Sequence, residues 1–133
     1  MKPVFLDTVG LIALWDEADQ WHPVAKPVFS ALLAGHQTMV TTTSVLLECG
    51  NAAARRVYRL NVYDLRQKML ANNSLIDPSS EEIEQAWSDY RASLAGEAGI
   101  VDHVSFAIMR RLSITHAFTN DAHFRAAGFE TMF

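Results

Sequence analysis

The sequence contains a single cysteine, Cys49, among its 133 residues. One cysteine excludes an intramolecular disulfide scaffold and a zinc site built from clustered cysteines. Half of the residues are apolar and a fifth are charged, which is the composition of a folded chain rather than a disordered one. A chain of this length buries about two-thirds of its unfolded surface. We therefore expect one domain over residues 1–133 that folds without covalent cross-links.

Long uninterrupted apolar runs are also missing. The first apolar stretch, residues 4–15, is interrupted by Asp7 and does not have the organisation of a signal peptide. The uncharged stretch 27–47 is broken up by serine, threonine, glutamine, histidine and glycine, which argues against a membrane span. We expect a soluble, cytoplasmic protein that does not enter a membrane.

Positive charge is scarce, because 11 Lys and Arg residues stand against 15 Asp and Glu, for a formal net charge of −4. This balance argues against the simplest kind of nucleic-acid-binding protein, which would be basic. The lysines are Lys2, Lys26 and Lys68. Phosphoaspartyl folds need a lysine near their last strands, and the absence of lysine after residue 68 therefore counts against them.

Several nucleotide-binding and hydrolase motifs are absent. The sequence has neither a G-x-x-x-x-G-K-[ST] loop nor a G-x-G-x-x-G fingerprint, and its five histidines do not show H-E-x-x-H spacing. It also has no G-x-S-x-G nucleophile elbow. These absences exclude the common sites of nucleotide binding, zinc proteolysis and serine hydrolysis that those motifs mark.

Short β-like runs alternate with helical patterns along the chain. The longest predicted helix begins after Thr42, Thr43 or Ser44 and runs to about Arg59. This alternation indicates an α/β fold in which a parallel sheet is covered by helices on both faces. Such sheets carry their sites at the carboxyl ends of the strands. Strands are predicted at residues 4–6, 38–42, 74–76, 114–119 and 129–132.

Four acidic residues stand where such a sheet gathers its functional groups. Asp7 and Asp121 follow predicted strands, and each taken alone would also serve as a helix N-cap. Asp102 begins a helix, where the helix dipole favours an acid. Glu48 interrupts an apolar helical stretch at a position that does not suit a capping box. We expect Glu48 on a buried face, where it must be paired, protonated or bound to metal.

Together, the four carboxylates are predicted to converge at the carboxyl edge of one sheet. Carboxylates a few ångströms apart repel one another strongly, and hard divalent cations such as Mg²⁺ relieve that repulsion. One or two such ions can activate water and clamp both oxygens of an in-line phosphoryl displacement. The residues therefore indicate metal-dependent phosphodiester hydrolysis.

Basic residues are concentrated in the fourteen positions 55–68, which hold one acid, Asp64. Such a stretch is typical either of a solvated helix face or of a phosphate clamp beside the acidic site. Its cations are the candidates for nucleic-acid binding, namely Arg55, Arg56, Arg59, Arg66 and Lys68.

Four segments carry a family resemblance: F-L-D-T at 5–8, T-T-S-V-L-L-E at 42–48, V-D-H-V-S-F at 101–106 and T-N-D-A-H-F at 119–124. In their order and spacing they resemble PIN domains, and more closely the VapC-type toxins of bacterial VapBC toxin–antitoxin pairs. The resemblance spans essentially the whole chain. It implies a three-layer α/β/α sandwich with a short-stranded, mainly parallel sheet, and endoribonuclease activity that depends on Mg²⁺ or Mn²⁺.

The resemblance also implies roles for individual residues. The chain departs from some relatives at Asn120, where they carry a further acid, and this bears on whether a second metal ion binds. The metal-binding and catalytic acids would be Asp7, Glu48, Asp102 and Asp121. The supporting residues would be Thr8 and Ser105, which would hydrogen-bond to those acids, and Thr119, which would orient the site near Asp121.

Partners follow from the same resemblance: an RNA substrate, a second copy in a homodimer, and a VapB-type antitoxin whose C-terminal tail occupies the acidic groove. Two other interpretations are a PIN nuclease of RNA processing without an antitoxin, and a catalytically idle PIN-like module that binds a partner peptide. Presence of all four acids argues against the idle module. Those acids account for the net charge of −4, so the rest of the chain is balanced and compatible with RNA once metal is bound.

Overall fold

The computed structural model describes residues 2–94 and 96–133. Its strands are β1 (Val4–Leu6), β2 (Met39–Thr42), β3 (Leu75–Ile76), β4 (His116–Phe118) and β5 (Glu130–Thr131). They form a sheet in the order β3-β2-β1-β4-β5, in which each neighbouring pair is parallel. Strand β1 is therefore central, between β2 and β4. The predicted α/β fold with a short-stranded parallel sheet is confirmed.

The helices of the described residues are α1 (Thr8–Trp15), α2 (His22–Ala34), α3 (Thr43–Ala53), α4 (Arg59–Ala71), α5 (Ser80–Ala92), α6 (Ile100–Arg111) and α7 (Ala122–Ala126). The chain moves across the sheet in one direction through α1–α4 and returns through α5–α7. Because parallel crossovers are right-handed, the two groups cover opposite faces. Over residues 2–94 and 96–133, none of the helices is both long and apolar enough to span a bilayer.

The central strand is buried along its whole length, since both of its faces are covered by helices. Val4, Phe5 and Leu6 are at most 5% exposed. Such a strand reads as a continuous apolar run, and the first charged residue after it is Asp7. Packing of β1 in the core therefore fixes the backbone position of Asp7.

Side-chain caps set where two of the helices begin. The Thr42 hydroxyl accepts a hydrogen bond from the backbone N–H of Val45 at 3.2 Å, which starts α3 directly at the end of β2. At α5, Ser79 and Glu82 form a reciprocal capping box. The start of α3 is thereby fixed at the carboxyl edge of the sheet.

The prediction of one helix from about residue 43 to Arg59 was wrong, because α3 ends at Ala53 and α4 begins at Arg59. The intervening turn buries Tyr58, which is 7% exposed and stacks on Trp15 with ring centroids 6.5 Å apart. Burial of an aromatic side chain outweighs the modest helix propensity of this stretch.

A close approach at Gly10 seats α1 against the end of β4. A Cβ atom on Gly10 would lie 1.9 Å from the carbonyl oxygen of Phe118. A side chain there would push α1 away from the strand, and Asp7 begins this helix. The glycine therefore fixes the distance between Asp7 and the end of β4.

We predict that Gly10→Ala destabilises the protein by about 2 kcal/mol or more, since α1 must shift to admit the methyl group. The matched control is Gly50→Ala in the interior of α3, where a Cβ would meet no atom within 4 Å. That control should gain roughly 0.5–1 kcal/mol through helix propensity. Urea unfolding measures both, and equal effects of the two substitutions would contradict the close approach.

Candidate active site

The carboxyl ends of three adjacent strands lead into helices that carry acids. Asp7 follows β1 and caps α1, and Asp121 follows β4 and caps α7. Glu48 lies on α3, which begins at the end of β2. Asp102 lies in the first turn of α6, whose N-cap Gly99 makes no side-chain hydrogen bond. Asp7 and Asp121 lie just after the ends of β1 and β4, Glu48 lies on the helix that follows β2, and Asp102 lies at the start of α6. The four carboxylates are thus brought to the carboxyl edge of the sheet.

Asp7 is the most buried of these acids, at 1% exposed. Its pKa is raised from an ordinary 3.8 to about 7, first by desolvation on burial and then by repulsion from Asp102 and Asp121. A hydrogen bond from the Thr119 hydroxyl, 2.9 Å from Oδ2, opposes part of this rise. Ionisation of the Asp7 carboxyl therefore has a free-energy cost that the chain offsets only in part.

Asp102 is similarly perturbed. Its pKa is raised from an ordinary 3.8 to about 6, first by desolvation and then by repulsion from Asp121 and Glu48. These interactions link Asp102 to all three of the other acids, since it also raises the pKa of Asp7. Clustered acids with raised pKa values are typical of functional sites, and a cation among them would reverse the rise.

Two of the expected supporting hydroxyls contact the acids. Thr8 donates to Oε1 of Glu48. Thr119 donates to Asp7 and accepts from the backbone N–H of Asp121 at 3.1 Å, so one side chain joins the ends of β1 and β4. Both hydroxyls hold the acids in place.

The Ser105 hydroxyl behaves differently from the expectation. It donates to the carbonyl of Val101 at 2.9 Å, four residues earlier in α6, instead of to a carboxylate. Short polar side chains in helices commonly bond back in this way. Ser105 therefore supports the helix that carries Asp102 and does not hold a carboxylate directly.

The expectation that Glu48 lies on a buried face was wrong, because Glu48 is exposed. Leu47, adjacent to Glu48, is 66% exposed. The buried positions of α3 are Val45, Leu46, Cys49 and Ala53. The apolar residues around Glu48 in sequence thus lie on two different faces of the helix. Glu48 occupies the solvent side of the acidic cluster.

His123 is a site residue that the sequence interpretation did not include. Its Nδ1 lies 2.9 Å from Oδ1 of Asp121. Ligand atoms of Asp102, Asp121 and His123 all lie within 4.8 Å of one another. The signal was its position in T-N-D-A-H-F, since the second residue of a short helix lies close to the residue that caps it.

The donor set suits a divalent cation. Carboxylate oxygens are the ligands that Mg²⁺ and similar hard cations take in proteins, and the raised pKa values of Asp7 and Asp102 indicate excess negative potential at this position. The residues present therefore fit a metal ion at Asp102 and Asp121, whose ligand atoms lie within 4.8 Å of one another, while Asp7 and Glu48 add negative charge to the same position.

The basic candidates are exposed along the turn after α3 and on α4. Lys68 lines a cavity of about 550 Å³ with Thr38 and Ser74, the residues near the starts of β2 and β3. Those strand starts form the amino edge of the sheet, opposite the carboxylates. The expected position of Lys68 beside the acidic site is therefore not the one that the structure gives.

One arginine outside that stretch lies on the helix that Asp121 caps. Arg125 on α7 is exposed, and its guanidinium donates to the carbonyl of Asn120 at 3.4 Å and to the hydroxyl of Thr131 at 2.9 Å. These contacts hold the guanidinium against the residue that precedes Asp121 in the sequence.

Known proteins resemble this chain in sequence and in fold. No protein-family model matches the chain. The chain is 29% identical over 131 residues to the 23S rRNA-specific endonuclease VapC20 from two strains of Mycobacterium tuberculosis, covering 95% of both proteins. It also matches the crystal structure of VapC20, a sarcin–ricin loop cleaving toxin, with a TM-score of 0.78, 27% identity and 96% coverage of each chain. The chain therefore resembles VapC-type PIN-domain toxins over almost its whole length. The family resemblance predicted from the sequence is thereby confirmed.

We predict that Asp7→Asn stabilises the metal-free fold at pH 8. Because the folded pKa of Asp7 exceeds the unfolded value, stability is greatest below about pH 4 and is lost as pH rises to about 7. A rise from 3.8 to about 7 corresponds to at most about 4 kcal/mol. The neutral asparagine recovers part of it, and we expect a gain of roughly 1–3 kcal/mol.

Thermal melts in EDTA at pH 5 and pH 8 measure the effect, with the exposed Glu84→Gln on α5 as the control. The gain for Asp7→Asn should be larger at pH 8 than at pH 5, and the control should not change. A variant that is less stable than the wild type at pH 8 would show that Asp7 is not a strained charge.

Proposed function

We propose that this protein is an endoribonuclease that depends on Mg²⁺ or Mn²⁺ and acts as the toxin of a toxin–antitoxin pair. The observation that carries the proposal is the cluster of Asp7, Glu48, Asp102 and Asp121 at the carboxyl edge, with two of the four pKa values raised. A relative that is an RNA-cleaving toxin, similar over 95% of both chains, supports the same activity.

The chain supplies fixed positions for charge. Asp7 is held by Thr119 and by the N-terminus of α1, and it gives up its proton when a cation binds. Glu48 is anchored by Thr8 on the solvent side, where an RNA strand and its attacking water would arrive. A bound divalent cation would supply activation of that water and neutralisation of charge on the scissile phosphate.

Phosphate binding is proposed for Arg125 and for the turn after α3. Arg125 is oriented by two hydrogen bonds on the helix that Asp121 caps. Arg55, Arg56 and Arg59 are exposed in and just after the turn between α3 and α4, where they can follow a flexible single strand. Outside the four acids the chain carries no net charge, so RNA would bind best after the cation has neutralised the cluster.

The partners of this activity are proposed on the same grounds. A toxin requires an inhibitor, and an antitoxin with a basic tail would complement the acidic cluster electrostatically. A homodimer and a cytoplasmic location, where RNA is the substrate, complete the proposal. The relative is named for 23S rRNA and for the sarcin–ricin loop, so that loop is the first RNA to test.

We predict that Asp7→Asn, Asp102→Asn and Asp121→Asn each lower RNA cleavage by roughly 100-fold or more, since each removes a charge at the reacting phosphate. Cleavage of total RNA and of a sarcin–ricin loop oligonucleotide is followed on sequencing gels, with Mg²⁺, with Mn²⁺ and with EDTA. Glu84→Gln, an exposed acid on α5, is the matched control and should cleave at the wild-type rate.

Three outcomes separate the interpretations. Full cleavage by Asp7→Asn in the presence of EDTA would rule out the metal mechanism. RNA binding without cleavage by the wild type would favour an idle binding module. Cleavage without inhibition of growth on expression would favour an RNA-processing nuclease over a toxin.

A separate prediction concerns RNA affinity. In an Asp7→Asn background that prevents cleavage, the triple substitution of Arg55, Arg56 and Arg59 by alanine should weaken RNA binding by about tenfold and flatten its dependence on salt. Fluorescence anisotropy measures the RNA affinity and its salt dependence. The salt concentration is varied from about 50 to about 300 mM, a range over which the screening of charges increases strongly. Arg91→Ala, an exposed arginine on α5, is the control, and an equal loss for Arg91→Ala would mean that the turn has no special role.

A further inference from the structure

Both ring nitrogens of His123 face oxygen atoms. Nδ1 lies 2.9 Å from Oδ1 of Asp121, and Nε2 lies 3.2 Å from the backbone carbonyl oxygen of Gly96. A neutral imidazole has one N–H and one lone pair. When one nitrogen donates its hydrogen to the neighbouring oxygen, the lone pair of the other nitrogen is available to a cation.

The hydrogen-bond partners of the His123 ring indicate which of its nitrogens would bind a cation. A histidine that binds a metal almost always donates its other N–H to a backbone carbonyl or a carboxylate. The Nε2 contact with Gly96 is of this kind. Gly96 has φ +89°, in the left-handed region that glycine adopts without strain, and this conformation sets the direction of its carbonyl. Nδ1 is then left with its lone pair toward Asp121.

The spacing of the three donors fits one ion. Ligand atoms of Asp102, Asp121 and His123 lie within 4.8 Å of one another. Atoms held about 2.2 Å from a shared cation lie at most roughly 4.4 Å apart, so a small inward rotation of side chains suffices. The backbone N–H of His123 also donates to Asp121 at 2.9 Å, which holds the carboxylate beside the ring.

We propose that His123 is itself a metal ligand, binding through Nδ1 together with Asp102 and Asp121. The proposal rests on the proposed function, because it assumes that the acidic cluster binds a divalent cation. A nitrogen ligand is better accepted by first-row transition cations such as Mn²⁺ than by Mg²⁺, which prefers a shell of oxygen atoms. The site should therefore bind Mn²⁺ more tightly than Mg²⁺, and His123 should account for much of the difference.

The decisive measurement is pulsed electron paramagnetic resonance of the wild-type protein loaded with Mn²⁺, which detects a nitrogen atom bonded to the metal. We expect a ¹⁴N modulation that is lost in His123→Ala and in His123→Asn. Titration calorimetry should show Mn²⁺ binding weakened by about tenfold or more in both variants, and Mg²⁺ binding changed by a smaller factor.

Two histidines serve as controls. His116 forms a similar pair with an acid, its Nε2 lying 2.8 Å from Oε2 of Glu130, but on strands away from the cluster. His103 is next to Asp102 in sequence, and its Nε2 contacts the hydroxyl of Ser93 at 3.2 Å. His116→Ala and His103→Ala should each keep the ¹⁴N modulation and the Mn²⁺ affinity of the wild type.

The outcomes distinguish the inference from the proposed function. Absence of both Mn²⁺ and Mg²⁺ binding by the wild type would overturn the metal-dependent function and this inference together. Mn²⁺ binding without ¹⁴N modulation would overturn the inference alone, since it would show that no nitrogen is bonded to the metal. Modulation that survives in His123→Ala and His123→Asn would also overturn it, and the wild-type spectrum remains decisive if either variant folds poorly.

Discussion

A buried carboxylate at the end of the central strand is the constraint on which the remaining site geometry depends. Asp7 follows three fully covered residues of β1, so it enters a region from which water is excluded. Two features hold it there: the Thr119 hydroxyl and the N-terminus of α1. Gly10 allows α1 to approach β4 closely enough for both contacts to form. Position and charge of Asp7 are thus determined by the core itself.

The same constraint makes the metal-free site costly. Burial raises the pKa of Asp7, and Asp102 and Asp121 raise it further. The cost of ionising clustered carboxylates is typical of binding sites. A cation that removes this cost on binding gains affinity by the same amount. The hydroxyl contacts of Thr8 and Thr119 orient the carboxylates without neutralising them. The fold therefore keeps a negative potential at the carboxyl edge that only a cation relieves fully.

Sequence patterns predicted the strands and helices that are determined by neighbouring residues in the chain. The apolar run before Asp7 and the strand before Asp121 indicated where a parallel sheet would gather its acids. The break between α3 and α4 could not be predicted, since it depends on Tyr58 packing against the distant Trp15. The exposure of Glu48 depends on which face of α3 packs against α1 and α6. The hydrogen-bond partners of Ser105 and His123 depend on how their helices are positioned in the folded protein.

Asn120 and His123 both affect how much negative charge is present in the acidic cluster. An acid in place of Asn120 would add to the repulsion that already raises the pKa of Asp7 and Asp102. An imidazole adds a ligand atom without adding negative charge. A chain with a neutral residue at 120 and a histidine at 123 can therefore complete the coordination of one ion while limiting the repulsion among its acids. If the cluster binds a cation as proposed, this combination would favour a single metal position over a second ion held by carboxylates alone.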